Sequence, residues 1–238
     1  MGKTTTVLHL AADLASRGQR VLAVDLDPQG HLTVASRVPV NEARGSALEV
    51  LTGQVSMSAA VITSPHGFDV LAADQALARI ERDGHAEGDT MYVLRSALDA
   101  VATSYDICLI DTPPSLGVLS TGALLAADAG IVVPLLPEAF PLKGMQLLLQ
   151  TMGELRAANP NLYLRTLLPT MVRPRWATHR DMTGALPTLL PGISVAMSVP
   201  SHGAIARAAT QRETIFSLAP RSAPAQAYRS LAESIING

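Results

Sequence analysis

The sequence predicts an α/β protein built on a doubly wound, mostly parallel sheet. Three observations carry that prediction. Short apolar segments alternate with helix-period segments along the whole 238-residue chain, with no internal repeat and no low-complexity linker. Acidic residues fall at or near the carboxyl ends of the apolar segments: Asp25, Asp27, Asp111 and the stretch from Pro134 to Glu138. In open parallel sheets that edge is where ligands bind. Finally, Gly2-Lys3-Thr4-Thr5 stands directly before the first helix, as a phosphate-binding turn would.

The elements follow in order. Thr4 to Arg17 has helical period, with Val7, Leu8, Leu10, Ala11 and Leu14 apolar, and Gly18 ends it. "RVLAVDLD" (20–27) reads as a strand, and "ALEVL" (47–51) as a short helix after a loop. "FDVLAAD" (68–74) is a strand, "MYVLRSALDAVAT" (91–103) a helix, and "YDICLID" (105–111) a nearly continuous apolar strand. A helix over 120–127, a strand over 130–137, a long helix over 142–158 and a strand over 162–172 come next. A helix near 176–190, a strand over 193–200 and a closing helix over 224–236 complete the chain. The length suits one large domain, 1–238, with a sizeable core.

Composition excludes several classes. Hydrophobic residues make up 48% and charged residues 16%, so the chain is globular, not disordered. Aromatics are only 3%, so Ala, Leu, Val and Ile must build the core. The single cysteine, Cys108, excludes an internal disulfide framework, a multi-cysteine zinc site and a cysteine-held iron–sulfur cluster within one chain. It is expected to pack as a small buried hydrophobe. His9 is expected at the surface or core edge of the first helix, and Trp176 over an apolar patch or stacked in a loop. Neither a signal peptide nor an apolar run of membrane-spanning length is visible, which predicts a cytoplasmic protein.

The net charge of −2 hides an asymmetry. Residues 1–154 carry 9 Lys+Arg against 17 Asp+Glu, and residues 155–238 carry 9 against 3. A basic half suggests a surface for a polyanion; arginines that merely solvate outer helix faces would give the same count.

Three motifs carry chemistry. In a phosphate loop, backbone N–H groups and a helix N-terminus face the phosphates. The lysine after the last glycine reaches the β and γ phosphates, and the next hydroxyl binds Mg²⁺. Gly2, Lys3 and Thr4 fill those last positions, and Thr5 is placed to touch a phosphate as well. "DLDPQG" (25–30) puts two aspartates after a hydrophobic strand, where an acid can orient a water or hold a metal's water shell; an ordinary Asp-Pro turn is the structural alternative. "ICLIDTPPS" (107–115) fits a Walker B strand, whose Asp111 would hold Mg²⁺ or its waters. Together they point to a P-loop NTPase.

At these residues the chain resembles a known family. "GKTTTVLHLAADLASRGQRVLAVDLDPQGHLT", "YDICLIDTPPSLG" and "VVPLLPEAFPLKGMQLLL" are similar to the ParA/Soj partition ATPases of the wider MinD/ParA group. The resemblance runs to "APAQAYRSLAESI" near the end and so covers essentially the whole chain. It implies an ATPase that dimerises face to face on ATP and binds double-stranded DNA without sequence preference. A ParB-like centromere-binding protein would stimulate its hydrolysis, and the protein would be nucleoid-associated in the cytoplasm. By the resemblance, Lys3 is the Walker A lysine and Thr4 the magnesium ligand. Asp27 is the switch I aspartate that positions the attacking water, with Asp25 a weaker candidate. Asp111 is the Walker B aspartate, and "TPPS" after it is switch II. ATP and Mg²⁺ are the implied cofactors.

The chain departs from the family pattern in two places. The family's loop reads K-G-G-x-G-K-T, and this sequence begins at x. The signature lysine, which in the family reaches the partner's nucleotide, and the strand before the loop are not in it. Loss of a central strand would leave buried backbone groups unpaired at roughly 1–3 kcal/mol each, against a typical stability of about 5–15 kcal/mol. The expectation is therefore that the native chain extends upstream and that the domain is N-terminally incomplete as written. A Val or Met at position x would allow a start codon to be misplaced there. The rival is a shortened, hydrolysis-deficient relative acting as a DNA- or protein-binding module.

The second departure is in "VPSHGAIARAATQRE", where Ser201 and Ala204 stand at positions that Soj-like members often fill with arginine. Arg207 and Arg212 further along, and Arg173, Arg175 and Arg180 in "VRPRWATHR", become the DNA-binding candidates. The closing helix, with one arginine and one glutamate in "YRSLAESIING", lacks a basic amphipathic face, which argues against a membrane role.

Overall fold

The computed structural model describes residues 2–83, 90–137 and 142–237. Its helices are α1 (Lys3–Ser16), α2 (His31–Ala35), α3 (Ala47–Leu51), α4 (Met57–Ala60), α5 (Ala78–Asp83), α6 (Thr90–Asp99), α7 (Val118–Ala126), α8 (Leu142–Leu155), α9 (Ala177–Leu189), α10 (Gly203–Gln211), α11 (Ile215–Leu218) and α12 (Ala223–Ile236). The strands are β1 (Val21–Asp25), β2 (Ile62–Thr63), β3 (Asp69–Leu71), β4 (Ile107–Asp111), β5 (Ile131–Leu135), β6 (Leu164–Pro169) and β7 (Ser194–Val195). The chain forms two compact units. One comprises residues 11–126 and the other residues 1–10 with 127–238, so α1 begins in the second and ends in the first.

In the unit of residues 11–126, a four-stranded sheet runs β2-β3-β1-β4. β1 is parallel to both β3 and β4, and only the short edge strand β2 is antiparallel. Every residue of β1 is buried, as expected of an apolar strand with neighbours on both sides. Leu22, Val24, Leu26, Leu71, Leu94 and Leu119 lie at the heart of this unit's core. The end of α1 is set by its own sequence. Arg17 pairs with Asp13 at 2.7 Å one turn back. Gly18 N–H then donates to the Ala15 carbonyl and Gln19 N–H to the Leu14 carbonyl, the paired bonds of a Schellman stop. α3 begins with a reciprocal capping box between Ser46 and Glu49, and Glu49 is held below the usual carboxylate range by those hydrogen bonds from Ser46.

In the other unit the sheet is parallel throughout, in the order β5-β6-β7. Leu135, Met145, Leu167 and Leu186 form one cluster of its core. α12 starts on a Ser222 cap with Pro224 in its first turn, and it buries Tyr228. The Tyr228 ring lies 5.0 Å from that of His9, and burial pushes the phenol up to about 12. His9 is 1% exposed, and its Nδ1 accepts a bond from Ile215 N–H at 3.4 Å. It is a core residue, more enclosed than its helical position suggested.

All six expected strands are shorter than the apolar runs that predicted them, three of them by four residues or more. The run 68–74 pairs only over Asp69–Leu71, because Ala72 C=O accepts from Ala47 N–H and Ala73 N–H donates to Thr33 Oγ1. The run 162–172 pairs over Leu164–Pro169. The run 193–200 pairs over Ser194–Val195 and then meets Val172 in one bridge at Pro200. β2, α2, α4, α5, α10 and α11 were not placed; all but the nine-residue α10 are six residues or fewer, too short for a period to show. Among the described residues, no helix is long and apolar enough to cross a membrane.

Candidate nucleotide site and arginine surface

One group of candidate residues, the acidic one, lies at the carboxyl ends of β1 and β4. Their register places Asp25 directly beside Asp111, and Leu26 N–H donates to the Asp111 carbonyl at 2.9 Å. Both aspartates are buried, at 0% and 1% exposure. Asp25 is occupied with the local structure. Its Oδ2 accepts from Thr33 N–H and Thr33 Oγ1, each at 2.8 Å, and its Oδ1 accepts from Asp27 N–H at 3.1 Å. Burial raises its carboxyl above the usual range, and the bonds from Thr33 and Asp27 oppose that shift. Asp27 is half-buried, and its Oδ1 accepts from Gln29 N–H at 3.0 Å, which rounds the Asp27–Gly30 turn into α2. Asp25 thus holds the loop that carries Asp27.

A second group of candidate residues lies in the other unit. Gly2 adopts φ +100°, a left-handed value that favours glycine, and its open side faces the Thr170 side chain. The first intrahelical bond of α1 runs from Thr6 N–H to the Gly2 carbonyl, so the N–H groups of Lys3, Thr4 and Thr5 precede the helical ladder. The first turn contains no acidic residue, and Lys3, Thr4 and Thr5 are half-buried. A helix start of this kind suits an anion. Thr170, which the sequence reading passed over, follows β6 and donates to the Leu135 carbonyl at the end of β5 from both its N–H (2.8 Å) and its Oγ1 (3.2 Å). A lone threonine after a strand gives no sequence signal. Glu138, the last residue of the stretch expected near the end of β5, lies outside the described residues.

The donor chemistry fits magnesium and phosphate. Thr4 offers a hydroxyl and Asp111 a carboxylate, both hard oxygen donors. Among the described residues, no three His, Cys, Asp or Glu side chains converge as a metal cage. A magnesium ion that travels with a nucleotide needs only one or two protein oxygens.

The five candidate arginines are all exposed and all in the unit that carries residues 127–238. The Arg173 guanidinium sits over the Trp176 ring, 4.2 Å from its centroid. Arg173 N–H donates to Nδ1 of the buried His179 at 3.1 Å, and Trp176 packs edge-on to His179 at 5.3 Å. Arg180 donates to the Pro174 carbonyl at 3.0 Å, folding the loop back on itself. Trp176 therefore stacks in a loop, one of its two expected placements. Ser201 N–H donates to Val172 C=O at 2.8 Å, so this loop starts beside the entry to α10, which His202 caps. Arg207 lies on α10, and Arg212 ends it in a left-handed conformation at φ +52°.

Cys108 corrects an expectation. It is exposed, whereas its apolar strand predicted burial. Among the described strands β4 pairs with β1 alone, so one side of it has no sheet neighbour to cover it.

Comparison with known proteins accords with this arrangement. The family described as an AAA domain matches residues 1–164. The chromosome-partitioning ATPase Soj of Thermus thermophilus is 38% identical over 239 residues, covering 99% of this chain and 91% of Soj. The chromosome partitioning protein ParA of Caulobacter vibrioides is 32% identical over 241 residues, covering 100% of this chain and 90% of ParA. Among solved structures, the cobyrinic acid a,c-diamide synthase of Mycobacterium smegmatis with bound ATP analogue and magnesium has a TM-score of 0.83 at 32% identity, covering 99% of this chain and 89% of that one. The parallel α/β architecture, the acids at the ends of β1 and β4, and kinship over nine-tenths of ParA and Soj agree: this chain belongs to the ParA-type partition ATPases.

Proposed function

We propose that this protein binds ATP with Mg²⁺, hydrolyses it to ADP and phosphate, and uses ATP binding to form a homodimer that holds double-stranded DNA without sequence preference. The observation that carries the reading is the register of Asp25 with Asp111 at the ends of parallel strands, with Asp27 displayed on the loop that Asp25 builds. The magnesium and ATP analogue bound by the Mycobacterium smegmatis relative support the choice of ligands.

In this reading Lys3 and the start of α1 neutralise the phosphates, and Thr4 and Asp111 are the residues that would hold magnesium. Magnesium would offset charge on the phosphate oxygens. Asp27 accepts a hydrogen bond from the attacking water and directs its oxygen at the γ-phosphorus. The P–O bond to the β-phosphate then breaks, and ADP, phosphate and a proton leave. Arg173, Arg175, Arg180, Arg207 and Arg212 contact DNA phosphates. A ParB-like centromere-binding protein is the expected stimulating partner, and the nucleoid the expected location.

The test is hydrolysis by the native-length protein, with Lys3→Ala beside it, and retention of duplex DNA with and without ATP. Turnover that Lys3→Ala abolishes, with ATP-dependent DNA retention, is the expected result. The doubly substituted Arg175→Ala/Arg180→Ala protein should bind DNA more weakly on any sequence, with the salt slope smaller by about 0.9 for each DNA phosphate no longer neutralised. DNA retention without any turnover would favour the binding-module reading and sink the enzymatic one.

A further inference from the structure

The loop that follows Asp111 runs over residues 112–117 and enters α7 at Val118. Pro113 is buried, Pro114, Ser115 and Leu116 are exposed, and the loop is tied at both ends. One end is β4, fixed by its register with β1. The other is held by two side chains. Ser120 Oγ donates to the Ser115 carbonyl at 2.5 Å. Glu81, on α5, accepts the Leu119 N–H on its Oε1 at 3.1 Å.

Two features accompany the Glu81 contact. Leu119 N–H lies in the first turn of α7, among the donors that a helix cannot satisfy itself, and a carboxylate there is favoured by the helix dipole as well. Gly117 is the second. A Cβ on Gly117 would fall into the Glu81 carboxylate, 2.7 Å from its Cδ and 2.8 Å from its Oε1. With a Cβ at residue 117 the Glu81 carboxylate would have to shift away from its present place. Neither residue was singled out by its sequence, because a glutamate in a polar six-residue helix looks like any solvated charge.

We propose that Glu81 is a positioning residue for the loop after Asp111. Its carboxylate clasps the start of α7 and keeps residues 112–117 in one arrangement during turnover. This rests on the ATPase reading above for its consequence, though not for its geometry. A loop whose far end is loose samples arrangements in which it does not support the reacting phosphate, so the defect falls on the chemical step and not on nucleotide affinity.

The experiment compares Glu81→Ala, Glu81→Gln and Gly117→Ala with the wild-type native-length protein by hydrogen exchange, thermal unfolding and steady-state hydrolysis. Glutamine keeps an oxygen acceptor in place, and alanine removes it. In Glu81→Ala, amide exchange over residues 115–121 should quicken about tenfold while β1 stays protected. Its kcat should fall about tenfold, with KM for ATP within about twofold. Glu81→Gln should recover most of both, and Gly117→Ala should mimic Glu81→Ala. Unchanged exchange and kcat in Glu81→Ala would overturn the proposal. So would equal damage from alanine and glutamine, because the placed acceptor would then not be the cause. If the wild-type protein does not hydrolyse ATP, the ATPase reading fails by itself, and the clasp stands or falls on the exchange of residues 115–121.

Discussion

β1 and β4 lie side by side in register, are five residues long, and end on aspartates that face each other in the sheet. They are nevertheless different strands. β1 is buried at every position and has a parallel neighbour on each side. β4 pairs with β1 alone among the described strands, and its residues from Ile107 to Ile110 are only half-buried or, at Cys108, exposed. Their terminal acids differ in the same way. Asp25 is bound by Thr33 and by the backbone of its own loop. Asp111 heads a partly exposed loop whose far end is clasped by Glu81. In the proposed reading the two acids divide their labour: Asp25 holds the scaffold, and Asp111 faces the chemistry.

The sharpest way to break that division is to remove each acid in turn. Asp111→Ala should lower ATP turnover per folded molecule by about a hundredfold or more. Asp25→Ala should instead unfold at a clearly lower urea concentration. If Asp111→Ala destabilised the fold as much as Asp25→Ala and left the turnover per folded molecule unchanged, the assignment of roles would be wrong.

Thr33 isolates the scaffold side of the comparison. Its hydroxyl donates to Asp25 and accepts from Ala73 N–H at 2.9 Å, so Thr33→Val leaves a buried acceptor and a buried donor each short of one bond. That should cost about 2–3 kcal/mol in urea unfolding. A pH series adds a sign. Burial raises the Asp25 carboxyl above 3.8 in the folded state, so protonation favours folding there. The contribution is fully present below pH 3.8 and is lost as pH rises through the raised folded value. The wild-type protein should therefore lose stability relative to Asp25→Asn across that window. A difference that grew in the opposite direction would mean that the bonds from Thr33 outweigh burial.

Cys108 sharpens the comparison from the β4 side. In the 238-residue chain its thiol should react with an aromatic disulfide reagent within about tenfold of the rate in the urea-unfolded chain. Strong protection in the 238-residue chain would remove the contrast between β1 and β4.

Much of this was legible in the residues. Long periods survive translation into structure, so α1, β1, β4, α8 and α12 fall within a few residues of the runs that predicted them. The acids were legible because a polar residue closing an apolar run has few other reasons to be there. What the sequence could not supply is pairing across distance. Nothing near Asp25 in the chain announces that Thr33 will turn back onto it, and nothing near Gly117 names Glu81 as its neighbour. Cys108 was misread for the complementary reason: hydrophobicity reports what a strand could bury, and the neighbours it meets decide what it does bury.

The amino ends of the same two strands supply the smallest effect and the control. Arg20 precedes β1 and Asp106 precedes β4, and they pair at 2.6 Å, with Arg20 also donating to the Thr103 carbonyl. The hydrogen bonds from Arg20 hold the Asp106 carboxyl down at about 2. Its contribution is therefore present above the ordinary value of 3.8 and is lost only as pH falls through about 2, so it does not vary across the pH window in which Asp25 acts. Both side chains are in water, where such pairs are screened and offset by the entropy of holding them. Asp106→Asn should leave the urea midpoint at neutral pH and physiological salt unchanged within error. A loss as large as that from Thr33→Val would mean that the strand pair is secured from its solvent-facing end, and that the buried bonds around Asp25 are not what holds β1 and β4 in register.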